Sequence, residues 1–305
     1  MILDATTWEK RQGPDKPPET PAMESARRGQ TEQFAQAVGR ITINLGQGQS
    51  FISTGTLIAP NIMITAAHCV DKIKGSTVGY FDLNGVQSKI ISVKMPSSYV
   101  LKLLSSKAIH FEDDDIAVVL LEKSIHLDSY PELSYDNSSQ LISNTIDSGH
   151  VPKFIGVSAG ILTQNSNHSR TYSGRHIGIF SMRKSGTSSR GSLEAESWIP
   201  VNYKPLPVQP TLDGKVYVPE FSYDFKRDGV FLHATLRGGD SGGPLFAKIQ
   251  GKMFIVGVAG GQIFKDAYDE KTNQFVPAKT YRDCWTSVYY HRTFIQDAIN
   301  ELSPK

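Results

Sequence analysis

Short apolar runs set off by turn-forming residues dominate the chain. RITINLG (40–46), NIMITAA (61–67), KIISVKM (89–95), IAVVLLE (116–122), KVYVPEF (215–221), PLFAKI (244–249) and MFIVGVAG (253–260) are rich in Val, Ile and Phe and bounded by Gly, Asn, Asp or Pro. Branched and aromatic side chains in runs of this length predict short antiparallel strands. One stretch has a convincing helical period: in TFIQDAINEL (293–302), Phe294, Ile295, Ala298, Ile299 and Leu302 fall on one face. The expectation is an all-β chain closed by a C-terminal helix.

Residues 1–36 break this pattern. They are polar, contain four prolines and have no apolar run long enough for a signal peptide or a membrane span. A polar N-terminal extension or pro-segment is expected there. The 305 residues suffice for two modest cores or one large one, and a net charge of only +2 implies neither a nucleic-acid nor an anionic-membrane partner. No other stretch reaches membrane-spanning length. Scattered histidines and two cysteines without CxxC spacing provide no metal-ligand set, so no metal or cofactor is expected.

Chemistry enters at GGDSGGPLF (238–246), which puts Ser241 on a turn built almost wholly from glycine. A serine hydroxyl becomes a good nucleophile when a base takes its proton and N–H donors stabilise the oxyanion. Gly239, Gly242 and Gly243 can hold backbone conformations closed to other residues and let a carbonyl approach the main chain. Alone, such a stretch reads as a loop as readily as an active site. A base is found in GTLIAPNIMITAAHCV (55–70), where an apolar strand ends in two alanines and then His68. An acid follows in FEDDDIAVVLLEK (111–123): Asp115 directly precedes a strand, whereas Asp113 and Asp114 read as a solvated turn.

The string around Ser241 also fits the G-x-S-x-G elbow of α/β-hydrolases, in which acid and histidine follow the serine. Here the only later histidine is His291, just before the amphipathic segment and expected at the surface. The order His68, Asp115, Ser241 excludes the elbow reading.

With TAAHC around His68, DIAVVLLE from Asp115 and GGDSGGPLF around Ser241, the chain resembles the trypsin/chymotrypsin-like serine proteases over roughly residues 37–130 and 230–300. The resemblance implies two packed antiparallel β-barrels and a C-terminal helix packed on the second. Residues 37–135 would form the first barrel, carrying His68 and Asp115, and residues 136–305 the second, carrying Ser241 and surface-loop insertions. It further implies His68 as general base, Asp115 as its orienting acid, Ser241 as nucleophile and the amides of Gly239 and Ser241 as the oxyanion hole. Gly260, Gly261 and Gln262 would lie along the substrate backbone. Thr235 would sit at the base of the specificity pocket with Asp283 on its opposite wall, where a carboxylate could meet Lys or Arg.

Asp240 matches the acid that receives a new N-terminal amine on activation, yet the Ile-Val-Gly-Gly start of the family is absent. Arg28–Gly29 is the best-placed alternative cut. The family's cysteine partner for Cys69 is replaced by Ser53, and Arg237 stands where another cysteine precedes the nucleophile loop. Cys69 and Cys284 are therefore expected to be unbridged and buried, which points to a bacterial-type member. The functional expectation is a secreted or periplasmic, monomeric serine endopeptidase acting on protein or peptide substrates. A zymogen-like binding protein and an esterase with the same triad are the alternatives.

Overall fold

A computed structural model describes residues 27–75, 77–105, 114–137, 140–141, 144, 153–160, 162–164, 170–172, 174–182, 192–197, 236, 238–269 and 274–303. Alternation along β1 (Val38–Gly46) turns Ile41 and Ile43 inward and leaves Arg40 and Thr42 part-exposed. β2 (Gln49–Ala59) pairs with it, and β3 (Ile62–Thr65) is buried at all four positions, which is why it reads as an unbroken apolar run. β4 (Val78–Leu83), β5 (Val86–Lys94) and β6 (Ala117–Leu121) complete a closed antiparallel barrel in the order β1-β2-β3-β6-β5-β4. Closure leaves this sheet without an open edge. Ile41, Leu57, Met63 and Phe81 fill its interior and are fully buried.

Between β5 and β6 lies α1 (Ser97–Leu104), a helix that the strand pattern did not announce. Only Tyr99 is buried on it, while Leu101 and Leu104 remain exposed. Its phenol donates to Asp71 Oδ2 at 3.0 Å, anchoring the helix to the segment that follows His68.

The second half contains β7 (Glu132–Leu133), β8 (Lys153–Ser158), β9 (Leu162–Gln164), β10 (Arg170–Tyr172), β11 (His176–Ser181), β12 (Ser192–Ser197), β13 (Pro244–Ile249), β14 (Lys252–Asp269) and β15 (Gln274–Ser287). Among the described residues these make a seven-stranded sheet ordered β11-β8-β13-β14-β15-β12, with β7 parallel to β14; β9 and β10 pair separately. The edge strands β11 and β12 approach each other, so the sheet curls towards a second barrel. Phe180 and Trp285 meet edge to face at 4.6 Å in its core. The expected strand at 215–221 lies outside the described residues.

The C-terminal helix α2 (Arg292–Leu302) forms as expected, with Ile295, Ala298 and Leu302 buried on one face. Its position differs from the one that the family resemblance implies. The buried face joins the core of the first barrel and lies against β6, and Glu301 pairs with Lys94 of β5.

The N-terminal segment also differs. Residues 27–36, expected in a polar arm, are docked: Ala35 is fully buried and Phe34 meets Phe246 of β13 edge to face at 5.0 Å. Arg175, at the start of β11, reaches across to this segment. Its guanidinium donates to Gly29 O (3.1 Å), Gln36 Oε1 (2.7 Å), Val38 O (3.3 Å) and Asn84 Oδ1 (2.9 Å). One buried cation thus joins the N-terminal segment and both halves through neutral acceptors, which offset its desolvation. Burial lowers the guanidinium pKa, as this environment requires.

Candidate active site

β3 leads to His68. Beyond Thr65 the chain passes Ala66 and Ala67 into a single 3₁₀ turn, Ala67–Cys69, and both alanines are fully buried. Side chains larger than methyl would crowd this corner, so the small pair before His68 is a packing requirement. The imidazole is left 18 % exposed.

Asp115 receives the ring. Its Oδ2 accepts from His68 Nδ1 at 2.6 Å, and its Oδ1 accepts from the His68 amide at 2.9 Å. Both carboxylate oxygens hold the same residue, one on the ring and one on the main chain, which fixes the ring's orientation and keeps Nε2 off the acid. Asp115 is fully buried, and its carbonyl accepts from Thr286 Oγ1 of β15 at 3.1 Å. The second sheet therefore helps to seat the acid of the first barrel.

The ring's environment pulls in two directions. Burial favours neutral imidazole; against it, the electrostatic interaction with Cys69 and the bond to Asp115 favour imidazolium, and together they raise the pKa above its ordinary value. Cys69 Sγ lies 3.6 Å from Nε2. This thiol contact is not legible in the sequence. Cys69 and Cys284 are both buried and neither is in a disulfide, as expected.

The turn carrying Ser241 is held by its backbone. Gly239 and Gly242 have φ of +100° and +82°, the region that glycine enters without penalty. A Cβ on Gly242 would collide with Thr54 O and Thr65 Oγ1, so the turn packs directly against the strand end that leads to His68. The Gly242 amide donates to Ala259 O at 2.7 Å, the Ala259 amide to Gly243 O at 2.8 Å and the Gly243 amide to Asp240 O at 2.9 Å. The first two bonds stitch the turn to β14 just ahead of Gly260 and Gly261, the residues expected along the substrate backbone, and the third closes the turn on itself. Gln262 follows in the same strand, its Cα paired with Asp283 of β15.

Asp283 is buried, and its Oδ1 accepts from the Leu236 amide at 3.1 Å. The carboxylate thus adjoins the chain segment expected at the pocket base, although Thr235 itself lies outside the described residues. Asp240 is fully buried within the turn. Of the residues tied to activation, Arg28 lies 3.7 Å from Glu32, and Gly29 sits against the Arg175–His176 backbone, where a Cβ would clash. In the uncut chain, Gly29 is a docked residue.

Two expectations beside the acid are corrected. His291 is buried, with Nε2 3.6 Å from Asp114 Oδ1, and Asp114 is drawn inward, Lys102 of α1 lying 3.9 Å from its other oxygen. The physical reason is the tight turn at Asp114, whose φ is +59° and whose carbonyl accepts from the Ile116 amide at 2.9 Å. That turn points Asp115 one way and Asp114 the other, towards the start of α2. Burial lowers the His291 pKa, with Asp114 opposing.

Among the described residues no group of His, Cys, Asp and Glu could hold a metal ion, and no helix is long and apolar enough to cross a membrane. Residues 27–142 match a family model described as Trypsin. No curated protein matches the chain significantly. The matched span contains His68 and Asp115 and ends before the turn that carries Ser241.

Proposed function

The chain is a trypsin/chymotrypsin-like serine protease, and from that premise we propose that it is an endopeptidase whose triad is His68, Asp115 and Ser241. The observation that carries this reading is the doubly held His68–Asp115 pair, set where the glycine-rich Ser241 turn packs against the same strand end. His68 Nε2, in the neutral form of the ring, takes the Ser241 proton as the hydroxyl attacks a peptide carbonyl, while Asp115 keeps Nδ1 protonated and stabilises the imidazolium that forms. The amides of Gly239 and Ser241 receive the oxyanion. His68 then protonates the leaving amine, and water repeats the sequence on the acyl-enzyme.

Asp283 beside Leu236 supports preference for Lys or Arg before the scissile bond, because a buried carboxylate at the pocket wall gains most by pairing with a cation. Action outside the cytoplasm belongs to the same proposal, as does activation by a cut at Arg28–Gly29. Ser241→Ala is expected to remove peptide hydrolysis by about 10⁶-fold while leaving the thermal transition in place. Hydrolysis by that variant at the wild-type rate would overturn the assignment. Asp283→Ala should lose arginyl-substrate turnover selectively; unchanged turnover rejects the pocket role.

A further inference from the structure

Thr54 of β2, a fully buried residue of the first barrel, reaches the nucleophile turn with both backbone and side chain. Its amide donates to Ser241 O at 2.8 Å, and its hydroxyl donates to Gly239 O at 2.8 Å while accepting from the Ala159 amide at 3.1 Å. Its carbonyl accepts from Thr65 Oγ1 at 2.7 Å, which ties the same residue to the strand leading to His68. An amide can only donate, so with Ala159 N–H on the oxygen, the Thr54 hydroxyl proton is directed to Gly239 O.

The consequence falls on the oxyanion donors. Gly239 O belongs to the peptide that joins residues 239 and 240, and Ser241 O to the peptide that joins 241 and 242. Between them lies the peptide whose N–H is that of Ser241. Pinning both flanking carbonyls fixes the plane of the donor between them. Without such a pin the turn has glycines at positive φ near each end, positions where a peptide can turn over with little steric cost. No disulfide holds it, because neither cysteine is bridged.

We propose that Thr54 is a positioning residue for acylation, and that its hydroxyl holds the Gly239–Ser241 turn in the geometry that binds the oxyanion; this rests on the reading of Ser241 as nucleophile. The test compares Thr54→Val, Thr54→Ala and Thr54→Ser with wild type. Val keeps the shape and the amide but removes the hydroxyl, Ala does so without steric demand, and Ser keeps the hydroxyl. Active sites are counted by fluorophosphonate titration carried to completion, so that kcat refers to competent molecules whatever the stability of each variant.

Val and Ala are expected to lower kcat by at least about 10-fold with KM nearly unchanged, a fraction of the effect of deleting an oxyanion donor, and Ser to stay near wild type. A threonine that served only folding would lower the site count and leave kcat per site intact; that result, or a loss with Ser as large as with Val, overturns the proposal. An inert wild type that takes up no fluorophosphonate would remove the nucleophile reading, and this proposal with it. An active wild type matched by Thr54→Val or Thr54→Ala removes the Thr54 proposal alone.

Discussion

The two halves of the site are organised by different physics. His68 and Asp115 come from one closed barrel and are oriented by a charge-assisted pair, 2.6 Å between ring and carboxylate, with a second bond to the main chain. The Ser241 turn belongs to the other sheet and is oriented by glycine dihedrals and by hydrogen bonds of its backbone groups, two of which run to Thr54 of the first barrel. A charged pair carries its own geometry wherever its barrel folds. A glycine turn takes its geometry from whatever surrounds it, so the half that carries Ser241 depends on the seam between the barrels more than the His68–Asp115 half, which meets the second sheet where Asp115 O accepts from Thr286 Oγ1.

Changing the pair tests the first half most severely. Asp115→Asn keeps the size of the side chain, removes its charge and lets the ring settle in the wrong tautomer, so kcat is expected to fall by about 10⁴-fold. A fall of less than tenfold in steady-state kinetics would mean that the pair does not organise the base.

Two glycines of nearly equal dihedral test the second half. Gly46 and Gly242 have φ of +83° and +82°, but a Cβ meets nothing on Gly46 and two oxygens on Gly242. Gly46→Ala should cost about 1–2 kcal/mol of unfolding free energy for its left-handed backbone and leave kcat alone. Gly242→Ala should cost more in denaturant unfolding and lower kcat by about 100-fold, as when an oxyanion donor is displaced. Equal effects from the two would show that the surroundings of the turn do not matter.

The smallest effects concern pH, where His68 and His291 have opposite signs. The His68 pKa is raised in the folded state, so its contribution to stability is complete below about 6.5, the ordinary imidazole value, and is lost as pH climbs through the raised value. The His291 pKa is lowered, so its contribution is present above about 6.5 and is lost as pH falls through the depressed value. Among the described residues, Asp114, the Tyr290 ring and, through Asp114, Lys102 face His291. His291→Gln should therefore flatten the decline in unfolding free energy below pH 6.5, a slope of at most about 1.4 kcal/mol per pH unit for one proton. A steeper acid decline in that variant would reverse the sign assigned to His291.

The same contrast explains what could be read along the chain. Local signals were legible: the apolar runs of β1, β3, β5, β6, β13 and β14, the helical period of α2, and the three short motifs that carry His68, Asp115 and Ser241. What was not legible depends on contacts between distant residues. Thr54 and Gly239 are 185 positions apart, Arg175 and Gly29 are 146 apart, and no periodicity marks either. His291 reads as a surface residue because it precedes an amphipathic helix; burial follows only when the turn at Asp114 folds against it. α1 escaped notice because SSYVLKLL leaves Leu101 and Leu104 in solvent and buries only Tyr99, giving no clean apolar face.

The central claim is that the base of one barrel activates the serine held by the other. Treating the intact chain with a fluorophosphonate and mapping the adduct by mass spectrometry measures this directly, with His68→Ala alongside. The account predicts one adduct, on Ser241, formed rapidly by wild type and far more slowly without His68. An unlabelled Ser241 in wild type, or a Ser241 adduct that forms equally fast in His68→Ala, would contradict it.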